Sequence, residues 1–125
     1  MRVVSLVPSL TLTLFDLGLD SSSIVGRTPW CIHPSPMVND ITIVGGTKTP
    51  TLSKIKAARP TLVVMDRDEN PKSVYDWCLE QGIPTFVCDV KRPSDLPAML
   101  RELASCIGCD ARGEELAQRI EASLR

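Results

Sequence analysis

The sequence is short of several things, and each shortage removes a class of protein. Aromatic residues make up 4% of the 125 positions, so the core has to be built from Val, Leu and Ile, the composition of a parallel sheet buried under helices. No apolar run approaches the roughly 20 residues that cross a bilayer, and insertion in a membrane is not expected. Lys plus Arg number 14 against 15 Asp plus Glu. A net charge of −1 removes the basic footprint that grips a phosphate backbone, so nucleic acid is not an expected partner. There is a single His, and no GxSxG, HExxH or Cys/His/Asp order for a hydrolase. A GxGxxG is absent, and Gly45-Gly46-Thr47-Lys48 lacks the spacing of a phosphate-binding P-loop. The five cysteines are an odd number with wide spacings, which argues against a disulfide scaffold.

What is present alternates between short β-branched runs and helical patterns. Val3 to Val7 predicts a strand, and Pro8-Ser9 opens a helix with Leu10, Leu14, Phe15 and Leu17 inward and Gly18 as its stop. Ile24 to Thr28 reads as a second strand, and the proline-rich stretch from Pro29 to Pro36 as an ordered loop. Ile41 to Val44 reads as a third strand ended by Gly45-Gly46, with Thr49 capping a helix that starts at Pro50. Thr61 to Asp66 is nearly continuous in apolar residues, as a central parallel strand should be. Asn70 caps a helix from Pro71 to Gly82, Thr85 to Asp89 is strand five, and Ser94 opens a helix through Leu96, Leu100, Leu103 and Ile107 to Gly108.

The expected fold is therefore α/β, a Rossmann-like lobe over residues 1–109 with a parallel five-stranded sheet and helices on both faces. Ligands meet such sheets at the carboxyl ends of the strands. Residues 110–125 carry Leu116, Ile120 and Leu124 at helical spacing without a stop signal. The expectation is a helix that continues, the chain being the front part of a longer protein; the plain alternative is a frayed end packed on its own sheet. MRVVSLVPS is too short an apolar run for a secretory leader. As written the chain is expected in the cytoplasm, or outside it if a leader precedes.

Three groups of residues invite chemistry. Trp30, Cys31 and His33 lie within four residues on a proline-stiffened loop, where Cys31 and His33 could offer two metal ligands, half of a tetrahedral site, or simply pack. Asp66, Asp68 and Glu69 come directly after the central strand and suit either a cation or a solvated turn. Cys106-Ile-Gly-Cys109 is a CxxC at a helix C-terminus, where the macrodipole disfavours a thiolate.

The string as a whole carries more. Ser5-Leu6-Val7-Pro8-Ser9 with Thr11 and Leu14-Phe15-Asp16-Leu17-Gly18, then Val25-Gly26-Arg27-Thr28, Cys31, His33-Pro34, Val44-Gly45-Gly46-Thr47-Lys48, Ala58-Arg59-Pro60-Thr61-Leu62-Val63, Glu69-Asn70 and Gly82-Ile83-Pro84 run in one order. In that order and spacing the chain resembles the helical-backbone substrate-binding proteins of ABC importers, which include the vitamin B12 and iron siderophore receptors. The resemblance implies a non-enzymatic N-terminal lobe, with Asp110 onward as the start of a long helix leading to a second lobe. It implies a metal-containing small molecule, such as cobalamin, held between lobes as a transported ligand rather than a tightly bound cofactor, and an ABC permease as partner. The ligand-binding residues it implies are Pro8, Ser9, Trp30, Cys31, His33, Gly45, Gly46, Thr47, Lys48, Asp66 and Asn70, with Glu69 as a docking residue. Two departures stand out: Leu12 replaces a Glu that would complete a capping box with Ser9, and Lys72 sits where a docking carboxylate is expected. The rival readings are a redox or metal-dependent enzyme module using Cys31 and His33, and a lobe kept for protein interaction or dimerisation.

Overall fold

The computed structural model describes all residues, Met1–Arg125. The first compact unit, Met1–Val87, is organised by a four-stranded sheet. Its elements are β1 (Val3–Ser5), α1 (Pro8–Asp16), β2 (Ile24–Gly26), α2 (Leu52–Ala57), β3 (Leu62–Asp66), α3 (Lys72–Glu80) and β4 (Thr85–Cys88), whose last residue lies at the boundary. The strand order is β2-β1-β3-β4. β1 pairs in parallel with β2 on one side and β3 on the other, Val3 opposite Leu62 and Ser5 opposite Val64.

Both faces of the central strands are buried, which is why β3 reads as an unbroken apolar run rather than an alternation. Val4 and Leu6 of the first strand segment and Val63 and Met65 of β3 share one face with Ile55 of α2 and Val74 and Cys78 of α3. Ser5 points the other way, where its hydroxyl meets Thr11 of α1. Right-handed crossovers that step outward in opposite directions from β1 and β3 place helices on opposite faces.

The sheet has four strands rather than five, because the expected third strand is not there. Ile41–Val44 forms a single isolated parallel bridge, Arg27 to Ile43, held by Arg27 N–H to Thr42 O at 3.0 Å and Val44 N–H to Arg27 O at 2.8 Å. The cause is a turn immediately after Arg27, where Cys31 N–H closes on Thr28 O at 3.1 Å, so only one residue remains to pair. Helix starts also move. The first helix is capped by Val7 with Pro8 in its first turn, so Ser9 is inside the helix and Leu12 removes no capping box. α2 starts at Leu52 rather than Pro50 because Pro50 bridges Gly45, and Thr51 N–H donates to Val44 O at 2.8 Å. α3 starts at Lys72 with Pro71 as its cap residue, which frees the Asn70 side chain for other work.

The second compact unit, Cys88–Arg125, is a helical hairpin. A 3₁₀ turn at Pro93–Asp95 leads into α4 (Leu96–Cys106), and α5 (Asp110–Ser123) folds back on it. Gly113 makes the close approach possible: a Cβ there would stand 2.2 Å from the Ala104 Cβ. Arg101 of α4 then bonds Glu114 and Glu121 of α5, at 2.8 and 2.7 Å. The CxxC straddles the corner, Cys106 ending α4 and Cys109 preceding α5, both unpaired.

Candidate functional site

The strand order locates the site before any side chain is considered. From β1 the chain steps to β2 on one side and then crosses to β3 on the other, so the switch point lies at the carboxyl ends of β1 and β3, where α/β sheets bind ligands. Three segments leave the sheet there: Leu6 to Ser9, the loop after Arg27, and Asp66 to Asn70. The Gly45–Lys48 loop joins them.

Asn70 ties three of these segments together, those of Leu6, Thr47 and Asp66. It is 7% exposed, and its side-chain amide donates to Leu6 O at 3.2 Å and Thr47 O at 2.8 Å while its Oδ1 accepts from Asp66 N–H at 2.8 Å. One side chain thus satisfies three backbone groups from three stretches of chain. Lys48 adds a second strap, Nζ to Asp68 O at 3.0 Å. Asp66 shapes the last loop by accepting the amides of Asp68 and Glu69 at 2.9 and 3.1 Å. The Asp66, Asp68 and Glu69 trio is therefore a turn built on one carboxylate.

The glycine loop is equally constrained. Gly45 has φ +112°, and a Cβ would stand 2.5 Å from Thr51 N, so no other residue fits its packing. The amides of Gly46 and Thr47 make no hydrogen bond within the protein, which leaves two backbone donors on a half-buried loop beside the switch point.

The Trp30 loop is pinned from beneath. Cys31 is 1% exposed and its Sγ lies 3.1 Å from Thr11 Oγ1 and 3.2 Å from Thr28 Oγ1. Thr11 Oγ1 also donates to Ser5 Oγ at 2.7 Å, giving a buried polar chain from β1 to the loop. Arg27 closes the other side, Nε to Ile41 O at 3.0 Å and a guanidinium N–H to Cys31 O at 3.2 Å. Above this base Trp30 stands 67% exposed, and His33 is exposed as well. Cys31 and His33 are thus divided between interior and surface, and no group of three or more His, Cys, Asp or Glu is placed to hold a metal ion. Pro8 is half-buried; Ser9 and Glu69 are exposed.

Sequence alone shows neither the ties of Asn70 nor the Ser5–Thr11–Cys31–Thr28 chain. Asn-Pro before a helical pattern is a capping signal, which points Asn70 to a local role, whereas its partners lie up to 64 residues away. The polar chain has a visible sign: Ser5 interrupts a buried apolar strand, and a buried hydroxyl needs a partner.

A family model described as periplasmic binding protein matches residues 3–125. A vitamin B12-binding protein of Pectobacterium carotovorum subsp. carotovorum is 29% identical over 104 residues, 83% of this chain and 37% of the relative. The chain thus spans under two fifths of the curated relatives it matches. The apo periplasmic heme-binding protein of Roseiflexus sp. RS-1 superimposes with TM-score 0.84 at 27% identity over 97% of this chain and 46% of that one. The periplasmic vitamin B12 binding protein of Vibrio cholerae does so with TM-score 0.88 at 20% identity, over 98% and 48%; this second likeness speaks for the fold. With nearly its whole length matched by the family model, the chain belongs to the periplasmic binding protein family.

Proposed function

We propose that this chain is the ligand-capturing N-terminal lobe of an ABC-importer binding protein, without catalytic activity, and that its ligand is a metal-bearing chelate such as a corrinoid. The observation that carries the reading is the rim at the sheet's carboxyl ends: three loops fastened to one another through Asn70, unengaged amides at Gly46 and Thr47, and an exposed indole at Trp30. A flat apolar wall with a few fixed donors suits a macrocycle with a polar periphery. Because no buried side-chain nitrogen or oxygen lacks a hydrogen-bond partner, the rim is preorganised rather than moulded by the ligand.

In this reading α5 is the first part of the helix leading to a second lobe that supplies the opposite wall. Its partner is a membrane permease, met through the surface carrying Glu69, and its place of work is outside the cytoplasm. The relatives' names support both the ligand class and the compartment. The test is equilibrium dialysis of this chain, and of the longest product of its gene, against cobalamin, heme and a ferric siderophore. Binding weakened at least about tenfold by Trp30→Ala is expected. No binding of any chelate by either form would overturn the reading.

A further inference from the structure

Beside the rim, between the carboxyl ends of β3 and β4 and the first turns of α3, lies a cavity of about 540 Å³. Its floor is apolar, from Met65 of β3 and Val87 of β4. Arg67, Lys72 and Tyr75 line it, together with Asp66. Lys72 and Tyr75 stand on the first two turns of α3, where the helix macrodipole also favours negative charge. The one acid in the lining has an oxygen already occupied, since Asp66 Oδ1 accepts the amides of Asp68 and Glu69; Arg67 also has a partner within the protein, and its five N–H donors leave others for a ligand. Two cationic side chains, a phenol and an apolar floor make a place for an anionic oxygen group carried on an apolar body.

We propose that this cavity seats an anionic arm of the chelate, a carboxylate or phosphodiester, with Arg67 and Lys72 as its partners and Met65 and Val87 against its apolar stem. The inference deepens the function proposed above and rests on it. Asp66 and Asn70 line the cavity and also belong to the rim, so an arm extending from a macrocycle at the rim enters without leaving the site. Selection would then come from the arm, since the indole face and the loop amides serve any flat chelate alike. A chelate without the arm forgoes the charge-assisted bonds to both cations.

Two ligand pairs distinguish the sources of the anionic group. Heme against its dimethyl ester reads the carboxylate; cobalamin against cobinamide, which lacks the nucleotide phosphodiester, reads the phosphate. Wild-type protein is expected to prefer the anionic member of at least one pair by about tenfold. That preference should shrink as salt is raised and fall to about one in the Arg67→Gln/Lys72→Gln double variant. Both residues are exposed, so the variant is expected to fold, which circular dichroism checks. Equal affinities within both pairs, or a preference that survives the double substitution, would overturn the inference and leave the binding reading standing. Failure to bind any of the four ligands would overturn both.

Discussion

Removing the Asn70 side chain tests whether the rim is fastened as described. Asn70→Ala deletes three hydrogen bonds of 2.8 to 3.2 Å at a residue 7% exposed. A typical bond contributes about 1 kcal/mol net, and a buried group left without a partner costs about 1–3 kcal/mol. Leu6 is fully buried, so its carbonyl bears the larger cost, whereas Asp66 N–H and Thr47 O belong to half-buried residues and recover part of theirs from water. The loss should be about 3–4 kcal/mol, a large share of the roughly 5–15 kcal/mol of an ordinary domain. Urea unfolding followed by tryptophan fluorescence should show a lower midpoint with an unchanged slope. Asn70→Asp separates bonding from volume: it keeps the acceptor toward Asp66 but turns a carboxylate toward two carbonyl oxygens. Its cost at about pH 7 should match or exceed that of Asn70→Ala, and should shrink in acid as the carboxyl protonates and can donate. A loss below about 1 kcal/mol in Asn70→Ala would refute the fastening.

The hairpin and the cysteines offer further tests. Gly113→Ala forces a Cβ to within 2.2 Å of Ala104 and should destabilise the α4–α5 hairpin by about 1–3 kcal/mol despite the better helix propensity, with Ala104→Gly restoring it; hydrogen exchange of α5 reads both. Hydrogen bonds from Arg101 hold the Glu114 and Glu121 carboxyls below their usual 4.5. Depressed values in the folded state mean that their support of the hairpin is complete above 4.5 and is lost as pH falls through the lowered values. The urea midpoint should therefore fall by a small margin below pH 4.5, as suits exposed ion pairs, and Arg101→Ala should remove that margin. Iodoacetamide should label exposed Cys106 first; Cys31 is buried, and Cys78 is buried with its thiol pushed up by burial, so both should wait for unfolding. Rapid native labelling of Cys31 would favour the redox reading.

The fold is legible in the sequence where a local pattern decides the outcome. The β3 run, the stop glycines at 18, 82 and 108 with their positive φ, and the spacing of Leu96, Leu100, Leu103 and Ile107 each declare themselves within a few residues. Ile41–Val44 is misread as a strand because strand status depends on a partner, and its partner has one pairing residue, Arg27. Pro50 is misplaced at a helix start because Gly45, five residues earlier, claims it for a bridge. At the site, sequence separation decides what can be seen. Gly45 to Lys48 and Asp66 to Asn70 stand out as loops after apolar runs, whereas the bonds that join them link residues 20 and 23 apart. Cys31 and His33 look like a pair because they are neighbours in sequence; the bonds of Cys31 to Thr11 and Thr28 turn its thiol inward.

The loops at the sheet's carboxyl ends should face a chelate. Amide chemical-shift mapping of this chain, titrated with cobalamin and with heme, tests it without requiring tight binding. Shifts confined to residues 7–9, 28–33, 45–48, 65–75 and 87 are the predicted result. Shifts centred elsewhere, on α5 or on the outer faces of α1 and α3, or no shifts with either ligand in this chain and in the longest product of its gene alike, would contradict that placement.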